Sequence, residues 1–291
     1  MIYSHGISVV IPTFNRMSKV RKAIQSVLAQ NHEAEEVIVV DNNSTDNTKE
    51  MIKSDFPQVK LLTEKKQGVS ATRNKGIKNA KYSWIAFLDS DDAWHKKKLK
   101  TQMDSIIQEN NAYRLIHTDE TWFRNGEHIN QMKKHKKDGG DIFKKCLDLC
   151  CISPSSVLVK KEVFDDLGYF DESLPACEDY DMWLRITSNE PVYFINELLT
   201  IKNGGHKDQL SKKYWGLDRF RVQSLEKIIL QNILNDNQKV LAYGVLIKKL
   251  KILINGAKKR NNQTVIKVYE KKYEQWKTFP YNFLNQEKNE K

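Results

Sequence analysis

In roughly the first hundred residues, short apolar runs alternate with segments in which apolar residues recur every three or four positions. The apolar runs are residues 7–11, 36–40, 59–62 and 84–88, and each predicts a strand. Five apolar residues between the first two runs share one face of a predicted helix: Val20, Ala23, Ile24, Val27 and Leu28. Strands that alternate with helices of about ten to fifteen residues are typical of βαβ units. The pattern predicts an α/β fold with a mostly parallel sheet flanked by helices.

After about residue 99 the alternation of predicted strands and helices becomes less regular. Strands are predicted at residues 114–118 and 156–159, and a solvated loop is predicted at the Lys-, His- and Gly-rich residues 133–140. From about residue 214, leucines and isoleucines recur at helical spacing among lysines. We therefore divide the chain into a main domain, residues 1–211, and a mainly helical C-terminal extension, residues 212–291.

The basic excess of the chain lies in this extension. Residues 212–291 contain 18 Lys and Arg against 7 Asp and Glu, a net charge of +11, whereas residues 1–211 contain 30 of each kind. Such an excess attracts nucleic acid, an anionic membrane surface or an anionic substrate, or it forms a solvated face. Few aromatic residues are placed regularly enough for base stacking, which argues against nucleic acid.

The apolar runs and the cysteines indicate a cytoplasmic protein. No run approaches the ~20 residues of a membrane-spanning helix, and the first strand begins too early for a signal peptide to precede it. The four cysteines (Cys146, Cys150, Cys151 and Cys177) lack the spacing of a zinc site and are expected to be reduced, small buried side chains. Cys177 comes two residues before Asp179, so it could also line a site.

Polar residues directly follow three of the predicted strands. They are Thr13-Phe14-Asn15, Asp41-Asn42-Asn43 and Asp89-Ser90-Asp91. In an open α/β sheet, ligands bind beyond the carboxyl ends of the strands. The three clusters are nearly eighty residues apart in sequence, yet we expect them to converge on one site.

The acidic residues of these clusters are candidates for binding a metal and a nucleotide. Asp89 and Asp91 could hold one divalent cation and orient a sugar hydroxyl, since Mg²⁺ binds through one or two carboxylates plus substrate phosphates. An exposed acidic turn is the alternative. Asp41 could accept a hydrogen bond from a nucleobase or a ribose, although turn chemistry also explains an acid at this position.

Three later segments carry further candidates. The helix predicted to open at residues 68–74 favours an anion at its first-turn amides, and Arg73 adds a donor for phosphate or base edges. Glu178 and Asp179 begin another predicted helix, where the helix dipole alone could explain them or where one of them could deprotonate an acceptor hydroxyl. His206 follows two glycines and could complete a metal site, although a lone histidine is usually not a ligand.

These residues resemble glycosyltransferase family 2, whose members are inverting enzymes with the GT-A fold. The matching segments are residues 9–16, 39–46, 68–74, 87–92 and 178–183, which occur in the family's order and cover roughly residues 6–210. The resemblance implies that Thr13 and Asp41 contact the nucleobase. It implies that Arg73 contacts the base or the diphosphate and that Asp89 faces the ribose. It further implies that Asp91, with His206, binds Mn²⁺ or Mg²⁺. Asp179 would be the general base, with Glu178 beside it at the donor site.

The resemblance also implies the kind of reaction. Residues 209–215 lack the arginine of the Gln-x-x-Arg-Trp motif of processive members, so we expect transfer of a single sugar. The expected donor is a nucleotide-diphosphate sugar, with UDP favoured, and the expected acceptor is a glycan or lipid-linked hydroxyl in bacterial surface-polysaccharide assembly. The alternatives are a nucleotidyltransferase, which normally has a Gly-rich phosphate loop near its N-terminus, and an inactive nucleotide-sugar- or nucleic-acid-binding module.

The extension carries an apolar stripe among its lysines. The stripe consists of Val240, Leu241, Val245, Leu246, Leu250, Leu253 and Ile254. A basic amphipathic helix of this kind could rest on an anionic membrane surface and make the protein peripheral on the inner face of the membrane. Alternatively, the stripe packs on the main domain or on a second subunit of a homo-oligomer.

Overall fold

The computed structural model describes residues 4–206 and 213–278. It divides the chain into two compact units, Met1–Lys213 and Tyr214–Lys291. The domain boundary expected between residues 211 and 212 lies outside the described residues, as does most of the segment compared with the Gln-x-x-Arg-Trp motif.

The described part of the first unit contains nine strands and seven α-helices. The strands are β1 (Ser4–Thr13), β2 (Glu36–Asp41), β3 (Lys60–Thr63), β4 (Tyr82–Phe87), β5 (Ala93–Trp94), β6 (Leu115–Arg124), β7 (Glu127–Ile129), β8 (Val157–Lys160) and β9 (Tyr193–Gly204). The helices are α1 (Met17–Leu28), α2 (Thr48–Asp55), α3 (Val69–Asn79), α4 (Lys98–Gln108), α5 (Phe143–Asp148), α6 (Glu162–Leu167) and α7 (Glu178–Asn189). Short 3-10 helices lie at Lys133–His135 and Pro154–Ser156.

The strands form one sheet in the order β3-β2-β1-β4-β8-β6-β9-β5, with β7 paired to β6. The strands β3, β2, β1 and β4 are parallel to one another. β8 runs antiparallel to both β4 and β6, and β9 is parallel to β6. Six strands (β3, β2, β1, β4, β6 and β9) therefore point in the same direction. The predicted α/β fold with a mostly parallel sheet flanked by helices is confirmed.

Helices cover both faces of the parallel half of the sheet. The predicted inner face of α1 is at most 2% exposed at Val20, Ala23, Ile24 and Val27. Leu28 was predicted to share this face but is 40% exposed, because α1 ends there. On the opposite face α3 packs closely on β1, since a Cβ added to Gly76 would overlap the side chain of Val10. This close approach fixes the position of α3 and of Arg73 within it.

The segment predicted to be a solvated loop, residues 133–140, is partly buried. Lys137 is only 5% exposed, and its Nζ lies 3.4 Å from Oε1 of Glu120 on β6. The same Nζ donates to the carbonyl oxygen of Cys151 at 3.1 Å. The Lys-rich composition indicated solvent, but a lysine that finds a carboxylate and a carbonyl can be buried. The other residues of the segment are exposed or partly exposed, so the predicted loop is largely solvated and Lys137 is its buried exception.

The described part of the second unit contains three helices, α8 (Asp218–Leu230), α9 (Asp236–Lys259) and α10 (Gln263–Lys277). The side chain of Asn235 caps α9 by accepting a hydrogen bond from the backbone amide of Gln238. In return, the backbone amide of Asn235 donates to the side chain of Gln238. α9 packs on α8 and α10. None of the helices in the described ranges has the length and apolarity that a membrane span requires.

The apolar stripe of the extension is divided by this packing. Four of its residues are buried: Leu246, Leu250, Leu253 and Ile254. Val240 is 70% exposed and Leu241 is 36% exposed. The C-terminal part of the stripe therefore packs inside the helical unit, and membrane binding stays a prediction for its exposed N-terminal residues. Only its N-terminal end remains open to an external partner.

Candidate active site

The ends of β1 and β2 bring Thr13 and Asp41 together. The two residues are aligned partners in neighbouring parallel strands, and both are buried. Asp41 Oδ2 accepts from the amide of Ser44 at 2.9 Å and lies 3.3 Å from Lys49 Nζ. Among the described residues, Thr13 Oγ1 and Asp41 Oδ1 have no hydrogen-bond partner. Two neighbouring buried oxygens can therefore bond to a ligand that carries hydrogen-bond donors.

Asn42 connects this pair to the start of α3. Its side-chain amide donates to the carbonyls of Glu64 and Lys66 at 2.9 and 2.8 Å and accepts from the amide of Gly68 at 2.8 Å. Gly68 has φ of +138°, a backbone conformation that favours glycine. The loop from β3 to α3 is thereby held against the end of β2, so that α3 begins at the same edge of the sheet.

Arg73 on α3 joins two of the predicted acidic residues. Its Nη2 lies 2.6 Å from Asp89 Oδ1, and its Nη1 lies 2.5 Å from Glu178 Oε1. Arg73 is 3% exposed, and its guanidinium lies 5.3 Å from the ring centroid of Phe170. The guanidinium therefore fixes the turn after β4 relative to the start of α7.

Burial and charge set the ionisation of the two carboxylates. Burial favours the neutral form of Asp89, but Arg73 and Lys202 outweigh it and hold the pKa of Asp89 below its ordinary value. Burial and the nearby carboxylate of Asp179 raise the pKa of Glu178 to about 7, although Arg73 opposes the rise. Asp89 and Glu178 thus share one guanidinium but differ in proton affinity.

Asp91 and His206 meet at this edge, as expected for a shared metal site. Asp91 Oδ2 lies 2.6 Å from His206 Nε2 and 2.9 Å from Nη1 of Arg16. Within residues 4–206 and 213–278, no group of three or more His, Cys, Asp and Glu side chains could hold a metal ion. A pair of protein ligands still fits Mn²⁺ or Mg²⁺ when substrate phosphates and water supply the other ligands. Arg16 lies in a matching segment, but no role for it was predicted from the sequence.

Asp92, for which no role was predicted, connects β9 to the acidic turn. Its Oδ1 accepts from the amide of Asn203 at 3.0 Å, and its Oδ2 accepts from Ser155 Oγ at 2.6 Å and lies 3.1 Å from Lys202 Nζ. Burial raises the pKa of Asp92 to about 7 against the opposing charge of Lys202. Asn203 also donates to the carbonyl of Asp91 at 3.0 Å. This network brings the end of β9, and hence His206, to the turn.

Sequence reasoning missed Ser155, Lys202 and Asn203. All three belong to segments whose partners lie between 45 and 112 positions away in the chain. No local pattern marks them, because their role depends on β9 and the 3-10 helix Pro154–Ser156 packing beside the turn after β4. Ser155 is the central contact, since its hydroxyl accepts from the amide of Asp89 at 3.1 Å and donates to Asp92.

Asp179 lies at the start of α7 with both carboxylate oxygens in hydrogen bonds. Oδ1 accepts from the amide of Tyr180 at 2.8 Å, and Oδ2 accepts from the thiol of Cys150 at 3.3 Å. Burial, together with the charge of Asp179, raises the pKa of Cys150 well above its ordinary value, which keeps the thiol protonated as a donor. The residue before α7, Cys177, has φ of +61°, a left-handed conformation that is costly for a residue other than glycine.

The cysteines partly follow the expectation of small buried side chains. Cys146 and Cys151 are buried, with their sulfur atoms 3.1 Å apart as free thiols, whereas Cys150 and Cys177 are partly exposed. The sequence singled out Cys177 as the cysteine that might line the site. The thiol of Cys150 contacts Asp179, and this residue is distant in sequence and is brought to α7 by the packing of α5.

The chain belongs to glycosyl transferase family 2, whose family model matches residues 8–168. It is 30% identical over 195 residues to the Escherichia coli UDP-Glc:alpha-D-GlcNAc-diphosphoundecaprenol beta-1,3-glucosyltransferase WfgD, covering 65% of this chain and 73% of that protein. It is 32% identical over 202 residues to an uncharacterized glycosyltransferase of Rickettsia conorii, covering 67% of this chain. The chain spans about a third of the length of that relative, 32%. The family resemblance inferred from the motifs is confirmed, and it favours glycosyl transfer over nucleotidyl transfer.

Solved structures agree on the GT-A fold. The crystal structure of S. aureus TarS 1-349 in complex with UDP-GlcNAc aligns with a TM-score of 0.66 at 20% identity, covering 84% of this chain and 71% of that chain. The mannosyltransferase PcManGT from Pyrobaculum calidifontis, in complex with GDP-Man and Mn²⁺, aligns with a TM-score of 0.61 at 14% identity, covering 98% and 84% of the two chains. The chain therefore combines membership of glycosyl transferase family 2 with the GT-A fold.

Proposed function

We propose that this chain transfers one sugar, with inversion at the anomeric carbon, from a UDP-sugar to a hydroxyl of a glycan or lipid-linked acceptor. The observation that carries the proposal is the meeting of Asp91 and His206, 115 positions apart in sequence, at 2.6 Å. They meet on the turn that also carries Asp89. The names of two similar proteins support the donor and the acceptor: WfgD acts on UDP-Glc and a GlcNAc-diphosphoundecaprenol, and TarS was solved with UDP-GlcNAc.

In this proposal Thr13 and Asp41 bind the nucleobase. Their unpaired Oγ1 and Oδ1 atoms support the role, because an unsatisfied buried polar atom costs about 1–3 kcal/mol until a ligand bonds to it. The imide N–H of a uracil ring is a donor suited to Asp41 Oδ1. The bond from the Ser44 amide to Oδ2 keeps the carboxylate oriented.

Asp89 faces the ribose, and Asp91 with His206 would hold Mn²⁺ or Mg²⁺ beside the diphosphate. When bound, the cation neutralises negative charge that develops on the leaving diphosphate. The guanidinium of Arg16, whose Nη1 lies 2.9 Å from Asp91 Oδ2, adds a positive charge beside the proposed metal site. Arg73 keeps the carboxylate of Asp89 ionised and in place, so Arg73 supports donor binding indirectly, by positioning Asp89.

Asp179 acts as the general base. It takes the proton of the acceptor hydroxyl while the hydroxyl oxygen bonds to the anomeric carbon, and the bond from that carbon to the diphosphate oxygen breaks on the opposite face. The Tyr180 amide and the Cys150 thiol orient its two oxygens. One protein carboxylate is sufficient, because a diphosphate leaves without a proton, whereas a glycoside hydrolase needs a second carboxylic acid to protonate its leaving group.

A donor panel tests the proposal. The full chain is incubated with UDP-Glc, UDP-GlcNAc, UDP-Gal, dTDP-Glc and GDP-Man, with Mn²⁺, with Mg²⁺ or with a chelator, and release of the nucleoside diphosphate is measured. We expect release from a UDP-sugar that is lost with the chelator and in Asp91→Asn. Release only from dTDP-Glc or GDP-Man would overturn the proposal of a UDP-sugar donor. Release that is unchanged by the chelator would overturn the proposed requirement for a metal ion.

We also propose that the second unit touches an anionic membrane surface through the turn between α8 and α9. Four large apolar side chains are exposed there: Leu230, Ile233, Val240 and Leu241. Residues 212–291 carry the whole net charge of +11, which complements anionic lipid. Exposed apolar side chains on a basic protein surface are typical of proteins that bind at the membrane–water interface.

Cosedimentation with phosphatidylglycerol vesicles at low salt tests this surface. Wild type should pellet, and the double variant L230S and V240S should not. V268S, which changes an exposed residue of α10, is the matched control and should pellet. A double variant that pellets like wild type would place any lipid contact elsewhere.

A further inference from the structure

A groove of about 410 Å³ lies between the second half of β6 and the segment that follows β7. Its walls include Asp119, Glu120, Trp122, His128, Gln131 and Leu198. Acidic and basic side chains both line it, so its charge favours neither a polyanion nor a polycation. None of the residues expected from the sequence to bind the donor is among those that line it.

Glu120 and Lys137 connect this groove to the general base. Lys137 Nζ lies 3.4 Å from Glu120 Oε1 and donates to the carbonyl of Cys151 at 3.1 Å. The adjacent residue, Cys150, donates its thiol to Asp179 at 3.3 Å. The wall of the groove and the segment that orients Asp179 are therefore joined by one buried lysine.

Trp122 and Lys202 connect the groove to the acidic turn. The two residues are aligned partners in the neighbouring parallel strands β6 and β9, so their side chains lie on the same face of the sheet. Lys202 Nζ lies 3.1 Å from Asp92 Oδ2. The strands that carry the groove wall thus also make contacts with the acidic turn and, through Lys137, with the segment that orients the base.

The wall of the groove is held in place before any ligand binds. Trp122 Nε1 donates to Glu120 Oε2 at 2.9 Å, which fixes the indole ring. Gln131 Nε2 donates to the carbonyl of Glu120 at 2.7 Å, which holds the segment after β7 against β6. An oriented aromatic ring beside carboxylate and amide groups suits a sugar, since its C–H face packs on the ring and its hydroxyls bond to the polar groups. Such preorganisation lowers the entropic cost of binding.

We propose that this groove binds the saccharide part of the acceptor, with a pyranose ring packed on Trp122. The inference rests on the proposed function, because it takes Asp179 as the base that the acceptor hydroxyl must reach. It adds a binding residue, Trp122, and a substrate class, a glycoside with free hydroxyls, to the reaction.

Saturation-transfer NMR with simple glycosides tests the groove. The full chain, with UDP and Mn²⁺ present, is mixed with the methyl β-glycosides of glucose, galactose and N-acetylglucosamine. We expect saturation of the ring C–H protons of at least one glycoside, and a loss of most of that signal in W122A. W215A is the matched control, because Trp215 is a 48% exposed tryptophan of the second unit, and it should keep the signal.

A second variant guards against misfolding of W122A. Leu198 is 58% exposed on the groove wall, so L198W fills the groove without removing buried contacts and should also abolish the signal. Signals that persist in both W122A and L198W overturn the proposal, and so does the absence of a signal for every glycoside with wild type. UDP binding is measured separately by calorimetry. If UDP does not bind while the glycoside signal depends on Trp122, the proposed donor fails and the groove stands.

Discussion

Replacement of Arg73 by methionine offers a quantitative test of how the site is assembled. Methionine has a similar length and no charge, so Arg73→Met removes the bonds to Asp89 and Glu178 and leaves the volume nearly filled. Removing one partner of a buried ion pair costs about 3–5 kcal/mol where the remaining group stays charged, and less where that group takes up a proton. The side chain of Glu178 is 6% exposed and that of Asp89 is 24% exposed, so most of the loss should arise at Glu178.

The loss should depend on pH in a defined direction. The pKa of Glu178 is about 7 in the folded wild type, so its protonated form is favoured by folding and stability falls as pH rises from about 4.5 through 7. Without Arg73 we expect this pKa to rise above about 8. The free energy of unfolding of the variant should then fall over the whole range from pH 6 to pH 8, whereas that of wild type should fall only up to about pH 7. At 1.36 kcal/mol per pH unit, the difference between them should grow by about 1.4 kcal/mol.

Urea denaturation at pH 6 and pH 8 measures both quantities. Arg114→Met is the matched control, since Arg114 also joins two carboxylates, Asp166 and Glu190, but is 26% exposed. We expect it to cost no more than about 1 kcal/mol at either pH. A cost for Arg73→Met below about 1 kcal/mol, or one that shrinks as pH rises, would refute the view that Arg73 compensates a buried carboxylate.

Three further changes test individual roles. Asp179→Asn should lower turnover by about 10²–10⁴-fold and leave the calorimetric affinity for UDP unchanged, and normal turnover would remove it as the base. Thr13→Val should weaken UDP binding by about 2- to 12-fold, since a hydrogen bond contributes about 0.5–1.5 kcal/mol, and unchanged affinity would exclude contact with the base. His206→Ala should raise the Mn²⁺ concentration for half-maximal turnover at least about tenfold, and an unchanged metal requirement would leave Asp91 as the ligand without His206.

The pattern of residues along the chain is enough to predict the first half of the fold and the edge of the sheet at which the site lies. Strands and amphipathic helices alternate there at regular spacing. The side chains that they bury can be predicted because apolar residues recur with the period of a strand or of a helix. The polar residues after β1, β2 and β4 could be placed at one edge because parallel strands share their carboxyl ends. The motifs around Asp41, Asp89 and Asp179 then sufficed to identify the family, which the family match confirmed.

The way in which the second half of the first unit completes the site depends on long-range packing. Ser155, Lys202 and Asn203 surround Asp92 because β9 returns beside the turn after β4, and such a long-range pairing leaves no periodic signal. Lys137 was expected in solvent, yet Glu120 draws it into the interior. Cys150 contacts Asp179 for a similar reason, because the packing of α5 on α7 brings the two residues together. Local pattern specifies which side chains face a core, whereas the partners of a buried charge or thiol depend on which distant segments the fold brings together.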